Sequence, residues 1–118
     1  MHIDLQFRGI DLSPAVREHA ERRTRFTLAR HGSRIARVSI SLVDINGPKG
    51  GEDKSCTVQI NLQQSGVVVV EELGSDLYQV LDRALARAGR TLVRRMERQA
   101  RQRYAPRAER MAIEVEHA

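Results

Sequence analysis

The residues of this chain with the clearest chemical potential are arginines that recur near its C-terminal end. At ~100° per residue, an α-helix would gather six of them into a band roughly 80° wide on one side. Guanidinium groups present a rigid fork of donors that matches the oxygens of a phosphate. The spacing therefore predicts a helix face that binds a polyanion. We call these six residues the arginine row: Arg83, Arg87, Arg90, Arg94, Arg98 and Arg101.

The charges around the arginine row are unbalanced. Arg95 and Arg103 flank it, and the only acid between positions 83 and 103 is Glu97. Solvated helix faces usually mix signs, because opposite charges four positions apart stabilise a helix and like charges repel. The whole chain has 20 Lys+Arg against 15 Asp+Glu, for a net charge of +5. An ordinary solvated face, or a high-GC genome that favours arginine codons, stays open as an alternative explanation.

Other candidate chemical groups do not form a recognisable constellation. The four histidines are scattered, and none pairs with a cysteine at metal-ligand spacing. Cys56 alternates with polar neighbours on a predicted strand, which indicates a small core residue. The glycine-rich stretch 47–51 lacks the Gly-Lys-Ser/Thr ending of a phosphate-binding loop. Glu71 and Glu72 have no acid–base partners nearby in the sequence. We predict no enzyme, no metal site and no cofactor.

The size and composition favour one domain. The chain has 118 residues, and we predict a single domain over residues 1–104 followed by a short tail, 105–118. No apolar run approaches the ~20 residues that would span a membrane. The first residues lack the features of a signal peptide. One cysteine excludes an internal disulfide, so we expect a soluble cytoplasmic protein.

The hydrophobic pattern predicts six elements that would position the arginines. Alternating residues indicate strands over 2–8, 35–44, 55–63 and 67–73, although four consecutive valines blur the last one. Ser13 is a good cap for a helix from 14 to about 30, and Ser75 for one from 76 to about 104. The order β-α-β-β-β-α predicts an α+β fold. Its four-stranded mixed sheet would have a parallel first pair, an antiparallel remainder and both helices on one face.

The first helix adds further basic residues, diluted by Glu18 and Glu21. If the two helices lie side by side, their basic edges would form one positive groove suited to a phosphate backbone. Aromatic residues are scarce, so the strands offer no stacking platform for single-stranded RNA. We expect recognition of a folded RNA by shape and phosphate. The basic residues of this helix are Arg17, Arg22, Arg23, Arg25 and Arg30.

Two stretches of sequence resemble a known family. Residues 10–19, Ile-Asp-Leu-Ser-Pro-Ala-Val-Arg-Glu-His, resemble the opening helix of bacterial ribosome hibernation factors. These are the hibernation-promoting factor and ribosome-associated inhibitor A group, also described as sigma-54 modulation proteins. Residues 75–82, Ser-Asp-Leu-Tyr-Gln-Val-Leu-Asp, resemble the start of that family's last helix. The resemblance covers about residues 2 to 100, and the chain looks like the short form of the family.

The resemblance implies a fold similar to a double-stranded-RNA-binding domain with an extra first strand. It also implies binding to the small ribosomal subunit and its rRNA, in the channel for mRNA and tRNA, which would inhibit translation under stress. Basic positions of the family match Arg17, Arg23, Arg87, Arg90, Arg94 and Arg98, to which the arginine row adds Arg83 and Arg101. No membrane and no small-molecule substrate is implied. The chain has Thr24 and Thr27 where leucines are usual.

Two other functions stay open on the sequence alone. One is a general double-stranded nucleic-acid-binding domain that uses the same groove. The other is a protein-interaction module that dimerises through an exposed sheet edge and presents its arginines to an acidic protein. Even for a ribosome-binding protein, a weak homodimer remains an expectation.

Overall fold

The computed structural model describes residues 1–9, 13–45, 53–64 and 66–104, with residues 102–104 as backbone only. The predicted tail, 105–118, and the whole glycine-rich stretch, 47–51, lie outside these residues. The order β-α-β-β-β-α is confirmed, with an added 3-10 helix after the first α-helix. The elements are β1 (His2–Arg8), α1 (Pro14–Leu28), the 3-10 helix (Ala29–Arg34), β2 (Ile35–Asp44), β3 (Lys54–Leu62), β4 (Val67–Gly74) and α2 (Leu77–Tyr104).

The four strands form one mixed sheet in the order β1-β2-β3-β4. β1 and β2 are parallel, whereas the β2–β3 and β3–β4 pairs are antiparallel, as predicted. Alternate residues of the strands face the two helices and form the core, and neither of the two described α-helices lies on the other face, which we call the helix-free face. The fully buried large side chains of the strands are Ile35, Val38, Ile40, Leu42, Val58, Ile60 and Val68.

The first helix packs on the sheet through a narrow row of small and β-branched residues. Ser13 is the N-cap, because its Oγ accepts a hydrogen bond from the Val16 amide at 3.1 Å. Thr24 is fully buried, and its hydroxyl donates to the Ala20 carbonyl at 2.6 Å. This bond satisfies the polar group, so a threonine is accommodated where leucine is usual. The α-helix ends at Leu28, slightly before the predicted end, since the chain tightens there into the 3-10 helix.

The second helix begins one residue later than predicted, and the predicted cap is wrong. Asp76, not Ser75, caps α2, since Asp76 Oδ1 accepts a hydrogen bond from the Tyr78 amide at 3.0 Å. Both residue types are good caps, so residue type alone did not distinguish the two positions. The buried residues of α2 recur at helical spacing and pack on the sheet. They are Val80, Leu81, Ala84, Leu85, Ala88 and Leu92. Within the described part of the chain, no helix is long and apolar enough to cross a membrane.

Candidate nucleic-acid interface

All six residues of the arginine row have exposed side chains on α2. The helix lies across β3 and β4 and beside α1, so its buried face is fixed by the sheet. A single rigid element therefore presents the whole row. The spacing predicted this arrangement, but the contacts of the individual arginines divide the row into two parts.

The first two residues of the row reach the edge strand of the sheet. Arg83 Nη2 donates a hydrogen bond to the Leu73 carbonyl at 2.7 Å. Arg87 Nη1 donates to the Glu71 carbonyl at 3.4 Å and lies 3.3 Å from the Glu72 carboxylate. These two guanidinium groups thus have partners within the protein, although both stay exposed on their other side.

The middle of the row borders an open cleft between α2 and the end of α1. The cleft brings Arg30 of the 3-10 helix together with Arg90 and Arg94 of α2. Arg94 Nη2 donates to Thr91 Oγ1 at 3.3 Å, and no ion pair is found for Arg90 or Arg94 among the described residues. Apart from these arginines, the cleft is lined by a mixture of small, apolar and polar residues. Its remaining lining residues are Thr27, His31, Ala86, Gly89, Val93 and Glu97.

The two predicted contacts on α1 are paired with acids. Arg17 Nε lies 3.6 Å from Glu21, one helical turn away. Arg23 Nε lies 3.4 Å from Asp82 of α2, and its guanidinium carbon lies 5.8 Å from the centre of the Phe26 ring. Arg23 therefore also has a role in the contact between the helices. Arg98 and Arg101 continue the exposed side of α2 beyond the cleft.

Sequence reasoning missed the residues that set the distance between the helices. His19 Nε2 lies 2.9 Å from Asp82 Oδ1, and the His19 ring meets the edge of Tyr78 at a centroid distance of 4.8 Å. Further along, a β-carbon at Gly89 would come within 3.2 Å of Thr27 Cγ2, so the helices approach closely there. The partners are far apart in sequence, and no local pattern could have paired them.

The other residues that the sequence analysis considered, Cys56, Glu71 and Glu72, lie in surroundings that do not indicate catalysis. Cys56 is buried beneath the helices, where burial and the charge of Glu72 raise the pKa of its thiol to about 12. Such a thiol stays protonated at neutral pH and is a poor nucleophile. Glu72 is paired with Arg87, whereas Glu71 points to the other face of the sheet. Over the described residues, no three His, Cys, Asp or Glu side chains come close enough to hold a metal ion.

The comparison with protein families gives one decisive match. The model described as sigma 54 modulation protein / S30EA ribosomal protein matches residues 3–100. The chain belongs to this family. The resemblance of the two helix-opening motifs to the sigma-54 modulation proteins is therefore confirmed, and the S30EA match runs from the second residue of β1 to Ala100 in the last third of α2.

Solved structures show the same fold as this S30EA chain. The N-terminal domain of Protein Y from Thermus thermophilus shares 26% sequence identity at a TM-score of 0.66, covering 80% of this chain and 98% of that one. A ribosomal subunit interface protein from Coxiella burnetii has 21% identity and a TM-score of 0.66, covering 82% and 99% respectively. The second likeness is one of fold alone. The comparison with curated proteins found no match.

Proposed function

We propose that this S30EA-family protein binds the small ribosomal subunit in the mRNA–tRNA channel and inhibits translation as a hibernation factor. The observation that carries the proposal is the exposed arginine row on α2, in a chain whose family is one of ribosome-associated proteins. The Coxiella burnetii protein of the same fold is described as a ribosomal subunit interface protein, which agrees with this role.

The contacts within the protein rank the arginines of the proposed interface. Arg90 and Arg94 border the cleft with Arg30 and have no ion pair among the described residues, so they are the strongest candidates for phosphate contacts. Arg98 and Arg101 extend the same exposed side. Four other arginines already have partners within the protein: Arg17, Arg23, Arg83 and Arg87. They would add to the positive field around the interface, but each would contribute less to the affinity for RNA than Arg90 or Arg94.

In the proposed mechanism, the protein blocks the mRNA–tRNA channel by occupying it, and no chemical step is involved. From Arg83 to Arg101 the row extends about 27 Å along a rigid helix, at 1.5 Å per residue. Because the helix is held by the sheet, the backbone positions that carry the arginines are fixed relative to one another before binding. A folded RNA with phosphates at matching positions is therefore favoured over a flexible strand. A protein placed in this way would exclude mRNA and the anticodon ends of tRNA, in the cytoplasm.

Co-sedimentation with purified ribosomes tests the proposal. We expect binding to the small subunit that weakens steeply with salt, because phosphate contacts release counterions, and that mRNA with initiator tRNA displaces. The variant R90E/R94E should bind at least about tenfold more weakly. R8E/R37E, with the same change of charge on the helix-free sheet face, should bind as the parent does. No binding at low salt, or equal binding by the two variants, would contradict the proposal.

The same experiment separates the two alternative functions. Equal affinity for ribosomes and for an unrelated RNA duplex would favour a general double-stranded nucleic-acid binder. Retention of a cellular partner after nuclease treatment, without ribosome binding, would favour an acidic protein as the ligand.

A further inference from the structure

The strand at one edge of the sheet has an unusually apolar sequence. Among the strands that the structure describes, β4 pairs only with β3, and it contains four consecutive valines, Val67 to Val70. In an antiparallel pair, alternate residues direct both backbone groups toward the partner strand. The even-numbered residues of β4 bond to β3, and residues 67, 69, 71 and 73 direct their N–H and C=O groups outward. The first half of this edge, Val67 to Val70, is β-branched and uncharged, and Glu71 and Glu72 follow it. An apolar edge segment of this kind is a template for the addition of another strand.

Three arginines of α2 cover this edge. Arg83 donates to the Leu73 carbonyl at 2.7 Å, Arg87 donates to the Glu71 carbonyl at 3.4 Å, and Arg95 donates to the Val67 carbonyl. We call Arg83, Arg87 and Arg95 the edge arginines. Three of the four outward carbonyls of β4 thus accept a hydrogen bond from a guanidinium group. Arg95 is not a member of the arginine row, so covering the strand edge is a separate role from the RNA binding proposed for the row.

The spacing of the helix matches that of the strand. Four residues of an α-helix advance about 6 Å, and two residues of a strand advance about 6.8 Å. Every fourth residue of α2 therefore lies beside every second residue of β4. The pairs of positions are 83 with 73, 87 with 71, 91 with 69 and 95 with 67. Position 91 is a threonine, whose hydroxyl donates to the Arg87 carbonyl within the helix at 2.9 Å. Among the described residues, no side chain donates to the carbonyl of Val69.

A glycine leaves room for the first edge arginine. A β-carbon at Gly74 would lie 2.7 Å from Arg83 Nη2 and 2.5 Å from Val80 Cγ2. Any larger residue at the end of β4 would force the Arg83 side chain, the helix or both to move. The end of the strand and the start of α2 are therefore fitted to the path that Arg83 takes to Leu73.

We propose that the edge arginines cap β4 and prevent a second copy of this chain from adding to the sheet at that edge. Each guanidinium occupies an acceptor that an incoming strand would need, and it places a charge where that strand would lie. The strand that the edge would otherwise bind is β4 of a second copy. If the two β4 strands paired in antiparallel orientation, the valine segment of one copy would lie beside the valine segment of the other. Val67 and Val69, which are exposed on the helix-free face, would then lie beside their counterparts in the other copy, with Glu71 next to them on the same face.

Size-exclusion chromatography with light scattering tests this proposal on the full chain. The variant R83M/R87M/R95M keeps an unbranched, flexible stem and removes the donors and the charge. R90M/R94M/R101M is the matched control, because it loses the same charge from the same helix without touching β4. We expect at least a twofold, concentration-dependent increase over the 13.4 kDa chain mass for the first variant and no change for the second. Equal masses for the two variants, or a parent that already pairs through β4, would overturn the proposal.

Two further variants keep the test decisive. Adding Val69→Lys to the edge variant places a charge at the centre of β4, so it should restore the mass of a single chain. Association that survives this change would run through another surface and would overturn the proposal. If the triple variant does not fold, Arg95→Met is compared with Arg101→Met. A larger mass for Arg95→Met supports the cap, and identical behaviour contradicts it.

Discussion

His19 Nε2 lies 2.9 Å from Asp82 Oδ1 and joins the middle of α1 to the second turn of α2. The same carboxylate lies 3.4 Å from Arg23 Nε, and the Tyr78 ring packs edge-on against His19. One acid of α2 is therefore shared by two side chains of α1. Because the arginine row begins one residue after Asp82, this contact fixes where the row lies relative to α1.

Replacing Asp82 by Asn should loosen the two helices. The change keeps the shape of the side chain but removes its charge, so the ion pair with Arg23 is lost and the bond to His19 weakens. We expect the free energy of unfolding to fall by about 1 kcal/mol in urea titrations. Glu18→Gln, which removes an exposed pair with Arg22 on α1, is the control and should change stability by less than about 0.5 kcal/mol. Equal losses would mean that the Asp82 contact does not hold the helices together.

Gly74→Ala should destabilise the protein through crowding at the start of α2. The new β-carbon would overlap Val80 Cγ2 and Arg83 Nη2, and Val80 is buried and has little room to move. Overpacking of this kind costs about 1–3 kcal/mol, which a thermal or urea unfolding curve would detect. Gly32→Ala is the control, since a β-carbon there meets nothing within 4 Å. A Gly74 variant as stable as the Gly32 variant would show that β4 and α2 adjust without cost.

The salt dependence of ribosome binding should differ between the two parts of the arginine row. R90Q/R94Q should lower the slope of log affinity against log salt by nearly one unit for each phosphate that the protein no longer neutralises. R83Q/R87Q should lower it less, because those guanidinium groups already donate to β4 carbonyls. The measurement is ribosome binding over a series of salt concentrations. The opposite order of the two slopes would show that Arg83 and Arg87 leave the strand to contact RNA.

Local patterns predicted most of the fold and the position of the arginine row. Strand alternation and helical periodicity depend on which face is buried, and a sequence carries that information at short range. The pairing of Arg83 and Arg87 with β4 depends on how α2 lies across the sheet, and His19 and Asp82 are 63 positions apart. Thr24 stands where leucine is usual in the family, and it is buried. Its bond to the Ala20 carbonyl is a local solution that residue type alone does not reveal.

The Cys56 thiol should make stability fall at alkaline pH. Burial and the charge of Glu72 raise its pKa from 9.0 to about 12 in the folded protein. Below pH 9.0 the thiol is protonated in both states, so it gives no pH dependence. Above that value the unfolded chain releases a proton that the native protein retains, and the free energy of unfolding falls by up to ~1.4 kcal/mol per pH unit.

A comparison of the parent with Cys56→Ala isolates this effect. The difference between their unfolding free energies should be constant from about pH 6 to 7.5, well below the usual ionisation of the thiol, and should then change steadily toward about pH 11. The raised pKa of Lys54 also contributes in the alkaline range, but it is common to both proteins and cancels in the difference. Iodoacetamide at pH 8 should label the parent only as fast as it unfolds, because the native thiol is buried and protonated. The prediction would be contradicted if the stability of the two proteins changed with pH in the same way, or if the folded parent were labelled rapidly. Either result would show that the thiol is accessible and that the core between β3 and the helices opens readily.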